Sequence, residues 1–253
     1  MNNLNFFLEK IQRGEVPLGL VVTSSDPAVS ELAAACGMDF IWIDGEHSPL
    51  TIHDIYHHIL STKGTRCAPF VRVGANLPHL LKPVLDLNPA GVIIPMIKTA
   101  EDARQAVSFC RYPDFGGERG YSLRRNHNFG AIPFPEYLES SRTAPHVILQ
   151  IEHRTAVENL KEILQVEGVG SVCIGPCDLS GSYGKAGQWD DPEIIHAIDF
   201  IREETLATRG RVLLGGFCAG PFWEKRFMQW RAIAEDTAAL SAKLRELIRK
   251  NTP

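Results

Sequence analysis

An α/β chain folded as a single (β/α)8 TIM barrel is the architecture the sequence predicts, on three observations. The chain has 253 residues, the usual length of one such barrel. Short apolar runs recur along it with helix-like segments between them. The Gly-x-Gly-x-x-Gly turn that marks a nucleotide-binding doubly wound sheet is absent after the first run. The expectation is one domain over residues 1–253.

The apolar runs are Leu18–Val22, Phe40–Ile43, Pro69–Val73, Gly91–Pro95, Val147–Ile151, Val172–Ile174, Val212–Gly215 and Phe227–Ala234, the last being the least regular. They alternate only weakly between apolar and polar, as strands do when both faces of a parallel sheet are covered. Helical spacing occupies Pro27–Cys36, Thr51–Thr62, Pro78–Leu87, Ala100–Cys110, Ala156–Val166, Glu193–Ala207 and Thr237–Ile248. Several of these have readable starts: Asp26 before Pro27, Thr51 after Ser48-Pro49, Asn76-Leu-Pro78, and Thr99 before Ala100-Glu101. One long interruption, Tyr112 to Pro145, carries Gly116-Gly-Glu-Arg-Gly120 and the basic stretch Arg124-Arg-Asn-His-Asn128, and loops of that length are commonly functional or mobile.

Composition narrows the function classes. At 44% hydrophobic and 22% charged, the chain can bury a core without disulfides or a structural metal. A net charge of −4 draws it toward neither nucleic acid nor anionic membrane, which leaves a small molecule as the expected partner. The amino-terminal residues lack a basic region followed by an apolar run, and no stretch reaches about eighteen consecutive apolar residues, so the expectation is a soluble cytoplasmic protein. The cysteines at positions 36, 67, 110, 173, 177 and 218 read as reduced, mostly buried thiols; Cys173 and Cys177 have no second Cys or His pair to complete a zinc site.

In such a barrel the active site lies where strands end at their carboxyl termini. Four ends carry chemistry there: Asp44-Gly-Glu46-His47, Arg72, Gln150-Ile-Glu152, and Gly175-Pro-Cys-Asp178. Glu152 and Asp178 would offer hard oxygen ligands to Mg²⁺ or Mn²⁺, leaving other positions to water and to a chelating 2-oxo acid. Arg72 would stabilise charge developing on an enolate oxygen, and His47, oriented by Asp44, would titrate near neutrality and move protons. Each residue also has a plainer reading. Asp178 could cap a helix, Asp44 could start a turn with Gly45, His47 could be structural, and Arg72 could be an ion-pair partner.

The same residues carry a resemblance. Phe40-Ile-Trp-Ile-Asp-Gly-Glu-His-Ser-Pro49, Pro69-Phe-Val-Arg-Val73, Gly91-Val-Ile-Ile-Pro-Met96, Arg111-Tyr-Pro113, Glu118-Arg-Gly120, Leu149-Gln-Ile-Glu152 and Ile174-Gly-Pro-Cys-Asp-Leu-Ser180 resemble, in order, the HpcH/HpaI aldolase family of metal-dependent pyruvate aldolases. The resemblance implies a barrel of the phosphoenolpyruvate/pyruvate type, with its last helix exchanged between subunits of a homo-hexamer built from dimers. It implies a divalent cation (Mg²⁺ or Mn²⁺, with Co²⁺ a further candidate) on Glu152 and Asp178, proton transfer by His47 with Asp44, and enolate stabilisation by Arg72. It further implies Gln150 beside a bound pyruvate, the backbone of Gly175, Pro176 and Cys177 around its carboxylate, and Glu46 behind them. The implied reaction joins or cleaves the bond between a 2-oxo acid, pyruvate or oxaloacetate, and an aldehyde.

The sequence departs from the family pattern at Cys177, at His153 after Glu152, in the first strand, and most strongly over Tyr121–Phe129, where Arg124 and Arg125 are expected either to face the aldehyde side and a distal carboxylate or to form a solvated basic loop. Rival readings are an oxaloacetate decarboxylase, a biosynthetic condensing enzyme or a relative acting on CoA thioesters on the same platform, and, from another class, a catalytically silent binding or assembly barrel.

Overall fold

The computed structural model describes residues 3–252, and its strands close into one parallel barrel in the order β1-β2-β3-β4-β5-β6-β7-β8. The elements run α1 (Leu4–Gln12), β1 (Leu18–Val22), α2 (Ala28–Ala35), β2 (Phe40–Asp44), α3 (Ile52–Ser61), β3 (Ala68–Arg72), α4 (Pro78–Asp86), β4 (Gly91–Ile94) and α5 (Ala100–Cys110). They continue with α6 (Phe134–Ser140), β5 (His146–Ile151), α7 (Arg154–Glu158), α8 (Leu160–Gln165), β6 (Ser171–Ile174), α9 (Pro176–Ser182), α10 (Pro192–Leu206), β7 (Leu213–Phe217), α11 (Pro221–Glu224), β8 (Trp230–Glu235) and α12 (Asp236–Asn251). Among the described residues no helix is long and apolar enough to cross a membrane.

The helix starts read from sequence have the expected chemistry. Thr51 and Thr99 each accept a hydrogen bond from the backbone N–H three residues on, at Asp54 and Asp102, whose carboxylates accept in return from the Thr51 and Thr99 N–H groups. Asp26 Oδ1 accepts from the Ala28 N–H at 3.0 Å. Elsewhere the structure is finer than the sequence pattern. Segment 156–166 is two helices, α7 and α8, meeting at Asn159, and the eighth strand begins at Trp230 rather than Phe227. Helices α1, α6, α9 and α11 lie outside the segments with helical spacing. Two cysteines, Cys36 and Cys177, are exposed, whereas Cys67, Cys110, Cys173 and Cys218 are buried free thiols.

Strand parity decides which residues reach the site. Val147, Leu149 and Ile151 of β5 pack outward among the helices, whereas Ile148 points into the barrel with Phe40, Trp42, Phe70, Cys173 and Trp230. Continuing the inward parity upward brings Asp44, Arg72, Gln150 and Glu152 to the carboxyl-terminal mouth. Small residues make room for the large ones: a Cβ on Gly215 would lie 2.0 Å from the Trp230 indole.

The opposite end of the barrel is stoppered by α1. Its Phe7 ring stands 4.9 Å from Phe70 and 5.8 Å from Phe40, both edge-on, and is 1% exposed. Phe7→Ala is expected to cost about 3–5 kcal/mol, because the barrel floor cannot collapse into the void. Urea melts should show it as a lower midpoint at unchanged slope, and an unshifted midpoint would mean α1 is dispensable.

Candidate active site

A cavity of about 650 Å³ opens at the carboxyl ends of the strands, lined among others by Asp44, His47, Arg72, Gln150, Gly175, Pro176, Cys177 and Asp178. Its organising group is Arg72, at the end of β3. The guanidinium donates to both oxygens of Asp44, Nε to Oδ1 at 2.9 Å and Nη2 to Oδ2 at 2.6 Å, and Nη1 stands 2.9 Å from Glu46 Oε2. It also lies 5.4 Å from the centroid of the Trp42 ring. Two carboxylates on β2 and the turn after it therefore hold one cation on β3. Burial works against ionisation of Asp44, but the hydrogen bonds and charge of Arg72 outweigh it and hold the carboxyl below its ordinary range.

This geometry corrects the expected pairing of Asp44 with His47. Asp44 Oδ1 accepts from the backbone N–H groups of Glu46 and His47 at 3.0 and 3.2 Å, and both its oxygens serve Arg72, so it positions the turn rather than the imidazole. The carboxylate nearest the His47 ring belongs to Glu46, whose Oε2 lies 3.6 Å from Nε2. His47 itself is 62% exposed at the mouth, free to meet water and ligand. Burial raises the Glu46 carboxyl, and the neighbouring Glu152 charge raises it further against the pull of Arg72. Glu46, expected behind the site, stands between Arg72 and His47.

Glu152, just past β5, is 2% exposed. Its Oε1 accepts from the Met96 N–H at 2.7 Å, and Oε2 accepts from the Gln150 side-chain amide. Burial raises its carboxyl, and Asp178 is close enough to add to the rise. Met96, unread from sequence as a site residue, holds a left-handed backbone at φ 56°, which aims its N–H at Glu152. Among the described residues no set of three or more His, Cys, Asp or Glu side chains converges as a ready cation site.

Gly175 closes the approach between β5 and β6. A Cβ there would lie 2.4 Å from Glu152 Oε2 and 3.0 Å from Gln150 Nε2. Gly175→Ala is therefore expected to displace the Glu152 carboxylate and, because the new Cβ would also lie 2.8 Å from Glu152 Cβ, to lower the melting point as β5 and β6 shift apart. The check is Mn²⁺ titration by electron spin resonance beside a far-ultraviolet dichroism melt, and unaltered Mn²⁺ binding would overturn the account.

The segment expected to grip a carboxylate is not a loop but the start of α9. The Gly175 N–H donates to Ile151 O at 3.2 Å and Pro176 has no N–H, so of the expected trio only Cys177 keeps a first-turn amide for a ligand, joined by Asp178.

Arg124 and Arg125 are not brought to this pocket. The segment containing them joins the end of α5 to the start of β5, and such connections lie at the amino-terminal end of a parallel barrel. Arg125 Nε donates to Leu87 O at 2.9 Å just ahead of β4, and its guanidinium lies over Tyr56. The segment is tied down there by Arg111, which donates to Pro145 O at 3.2 Å, and by the Tyr112–Tyr137 hydroxyl contact at 2.6 Å.

A closed parallel barrel here gathers four carboxylates, a clamped arginine and a histidine at its strand ends, and its relatives make it an enzyme of the aldolase/lyase class. The chain belongs to the HpcH/HpaI aldolase/citrate lyase family, whose model matches residues 18–239. It is 40% identical over 197 residues to the 2-keto-3-deoxy-L-rhamnonate aldolase of Escherichia coli (strain K12), covering 77% of this chain and 73% of that one. The HpcH/HpaI aldolase of Desulfitobacterium hafniense DCB-2 superposes with a TM-score of 0.88 at 27% identity, covering 98% of both chains. A citrate lyase beta subunit from M. tuberculosis, complexed with oxaloacetate and magnesium, has the same fold at a TM-score of 0.55 and 15% identity, covering 88% of this chain and 93% of that one.

Proposed function

We propose that the chain is a divalent-metal-dependent aldolase that joins pyruvate reversibly to an aldehyde, giving a 4-hydroxy-2-oxo acid. The observation that carries the reading is the buried Glu152 carboxylate, which accepts from Met96 and Gln150, with the like charge of Asp178 beside it in the pocket of Arg72. Two hard oxygen donors of one sign, one of them buried, fit Mg²⁺ or Mn²⁺. A divalent cation held by Glu152 and Asp178 would supply Lewis-acid polarisation of the 2-oxo group.

The chain's own residues account for the rest. Arg72, immobilised between Asp44 and Glu46, presents a fixed positive charge where the 2-oxo oxygen becomes negative. The first-turn amides of α9 and the Gln150 side chain orient the acid. In the forward direction the pyruvate methyl group gives up a proton to water at the mouth, its carbon bonds to the aldehyde carbon, and the aldehyde oxygen takes a proton from water to become the hydroxyl. His47, exposed at the mouth and backed by Glu46, moves that last proton through water; cleavage is the reverse.

The assembly proposed is a homo-hexamer, a trimer of dimers, with α12 exchanged between subunits, one barrel per chain, in the cytoplasm. It is supported by α12 itself, which buries no residue and carries Leu240, Leu244, Leu247 and Ile248 exposed at helical spacing along one face.

The test is exchange of the pyruvate methyl protons in D2O, followed by NMR with Mg²⁺ or Mn²⁺ and with EDTA as control. Metal-dependent exchange needs no knowledge of the aldehyde. If neither pyruvate exchange nor oxaloacetate turnover responds to metal, the reading fails.

A further inference from the structure

We propose that His53 and His57, on the outward face of α3, form a second metal site that takes a borderline transition-metal dication of the Zn²⁺, Ni²⁺ or Cu²⁺ kind. The site lies outside the barrel mouth and does not depend on the aldolase reading.

The placement follows from the helix. α3 turns Ile55, His58 and Ile59 to the core, and a period of 3.6 residues puts positions 53 and 57 on the opposite side, one turn apart. Side chains so spaced meet, and the two imidazoles do, with ring centroids 4.4 Å apart. His53 is exposed and His57 half-buried, its ring edge-on to Tyr56 at 5.6 Å. The next residue, His58, is a structural histidine by contrast: Nδ1 lies 2.8 Å from Ser30 Oγ and Nε2 lies 2.9 Å from Ser24 O. Among the described residues neither His53 nor His57 has a side-chain hydrogen bond of that kind, so each ring in its neutral form keeps a lone pair open to a ligand.

Histidines four residues apart on one helix face are the spacing by which His-Glu-x-x-His helices hold zinc, and here the run is His53-Asp-Ile-Tyr-His57. Its acidic residue does not act as a base: Asp54 Oδ2 accepts from the Thr51 N–H at 2.8 Å and from the Thr51 hydroxyl at 2.6 Å, which ties it to the helix start. Those bonds hold the Asp54 carboxyl below its ordinary range, so a negative charge stands beside His53 and favours a cation there. No third His, Cys, Asp or Glu converges among the described residues. Water therefore completes the coordination, and the site binds an ion without catalysing a reaction. Two nitrogens bonded to one ion at about 2.0–2.1 Å stand about 3 Å apart, a separation the adjoining rings reach by rotating torsions that solvent leaves free. The donor type selects the ion. Imidazole nitrogen suits Zn²⁺, Ni²⁺ and Cu²⁺, with Cu²⁺ held most firmly, whereas Mg²⁺ and Mn²⁺ prefer oxygen.

The experiment titrates the full chain, in its native assembly and in excess Mg²⁺, with Ni²⁺ by calorimetry, and reads Cu²⁺ coordination by electron spin resonance. Ni²⁺ uptake is expected on every chain, and the Cu²⁺ spectrum should show hyperfine splitting from two imidazole nitrogens. His53→Ala and His57→Ala place the best helix former on an outward helix face, so the metal-free melting point should not fall. Each should weaken Ni²⁺ binding by at least the about 10–100-fold that losing even a supporting partner costs a metal site. His196→Ala, at an exposed histidine of α10, is the control and should leave the titration unchanged. The pair is overturned if neither α3 variant weakens binding, if only one does, or if His196→Ala weakens it equally. It is overturned as well if the assembled protein takes up no Ni²⁺, which would mean that a partner subunit covers this face.

Discussion

Arg72→Ala is expected to cut kcat/KM by about 10²–10³-fold, the loss typical of removing one preorganised donor to a developing oxyanion. The same change should destabilise the fold by about 3–5 kcal/mol, because it leaves Asp44, 3% exposed, and Glu46 without their cation. The two losses are separable by pH. In the wild type the folded Asp44 carboxyl lies below its ordinary value, so its contribution is present above the unfolded pKa of about 3.9 and is lost only as pH falls through the lower folded value. Without Arg72, burial is left to raise that carboxyl, so the variant gains from protonation as it is acidified. The stability gap should therefore be widest near neutral pH and narrow toward pH about 4.5, measured by urea melts. Arg72→Lys restores charge but cannot serve both oxygens of Asp44 and Glu46 at once, so it should recover stability more than turnover. A variant that keeps its turnover within twofold would falsify the role.

The barrel was legible because parallel strands covered on both faces leave bare apolar runs, and because helix starts use short polar side chains that the chain displays openly. The site residues were legible by the same route, since inward parity places a polar residue at a strand end only where something other than the core requires it. What the sequence hid were relationships between strands. Nothing local to Asp44 reveals that its carboxylate faces Arg72 across the sheet and not His47 along the turn, although the register that sets Asp44 beside Arg72 makes the pairing inevitable. Met96 was hidden for a similar reason: its role lies in a left-handed backbone, which an unbranched apolar side chain does not advertise. Arg124 and Arg125 show the opposite error. Their composition suggested an anion site, but the count of elements before them fixes the end of the barrel on which they lie, and that count outranks composition.

Glu152 is where fold and chemistry pull against each other, and that conflict yields the second large effect. A carboxylate 2% exposed, near Asp178, is held ionised at a cost that the Met96 and Gln150 hydrogen bonds only partly offset. Glu152→Gln removes the charge and keeps an oxygen able to accept from Met96, while its new NH2 faces Gln150, whose amide must turn its oxygen inward to accept; with that turn made, the metal-free variant is expected to unfold no earlier than the wild type. Mn²⁺ should raise the wild-type melting point, a saturation of about 100 Kd corresponding to about 2.7 kcal/mol. In Glu152→Gln, and in Asp178→Asn at the other ligand, that rise should vanish together with pyruvate exchange. Differential scanning calorimetry with and without Mn²⁺ reads both effects on one sample. If Glu152→Gln instead melts early without metal and keeps its Mn²⁺ response, the residue is a structural strut between β4 and β6 and the cation must be sought elsewhere. Equal metal-free stability with the metal response gone is the pattern expected of a group kept for its ligand rather than for the fold.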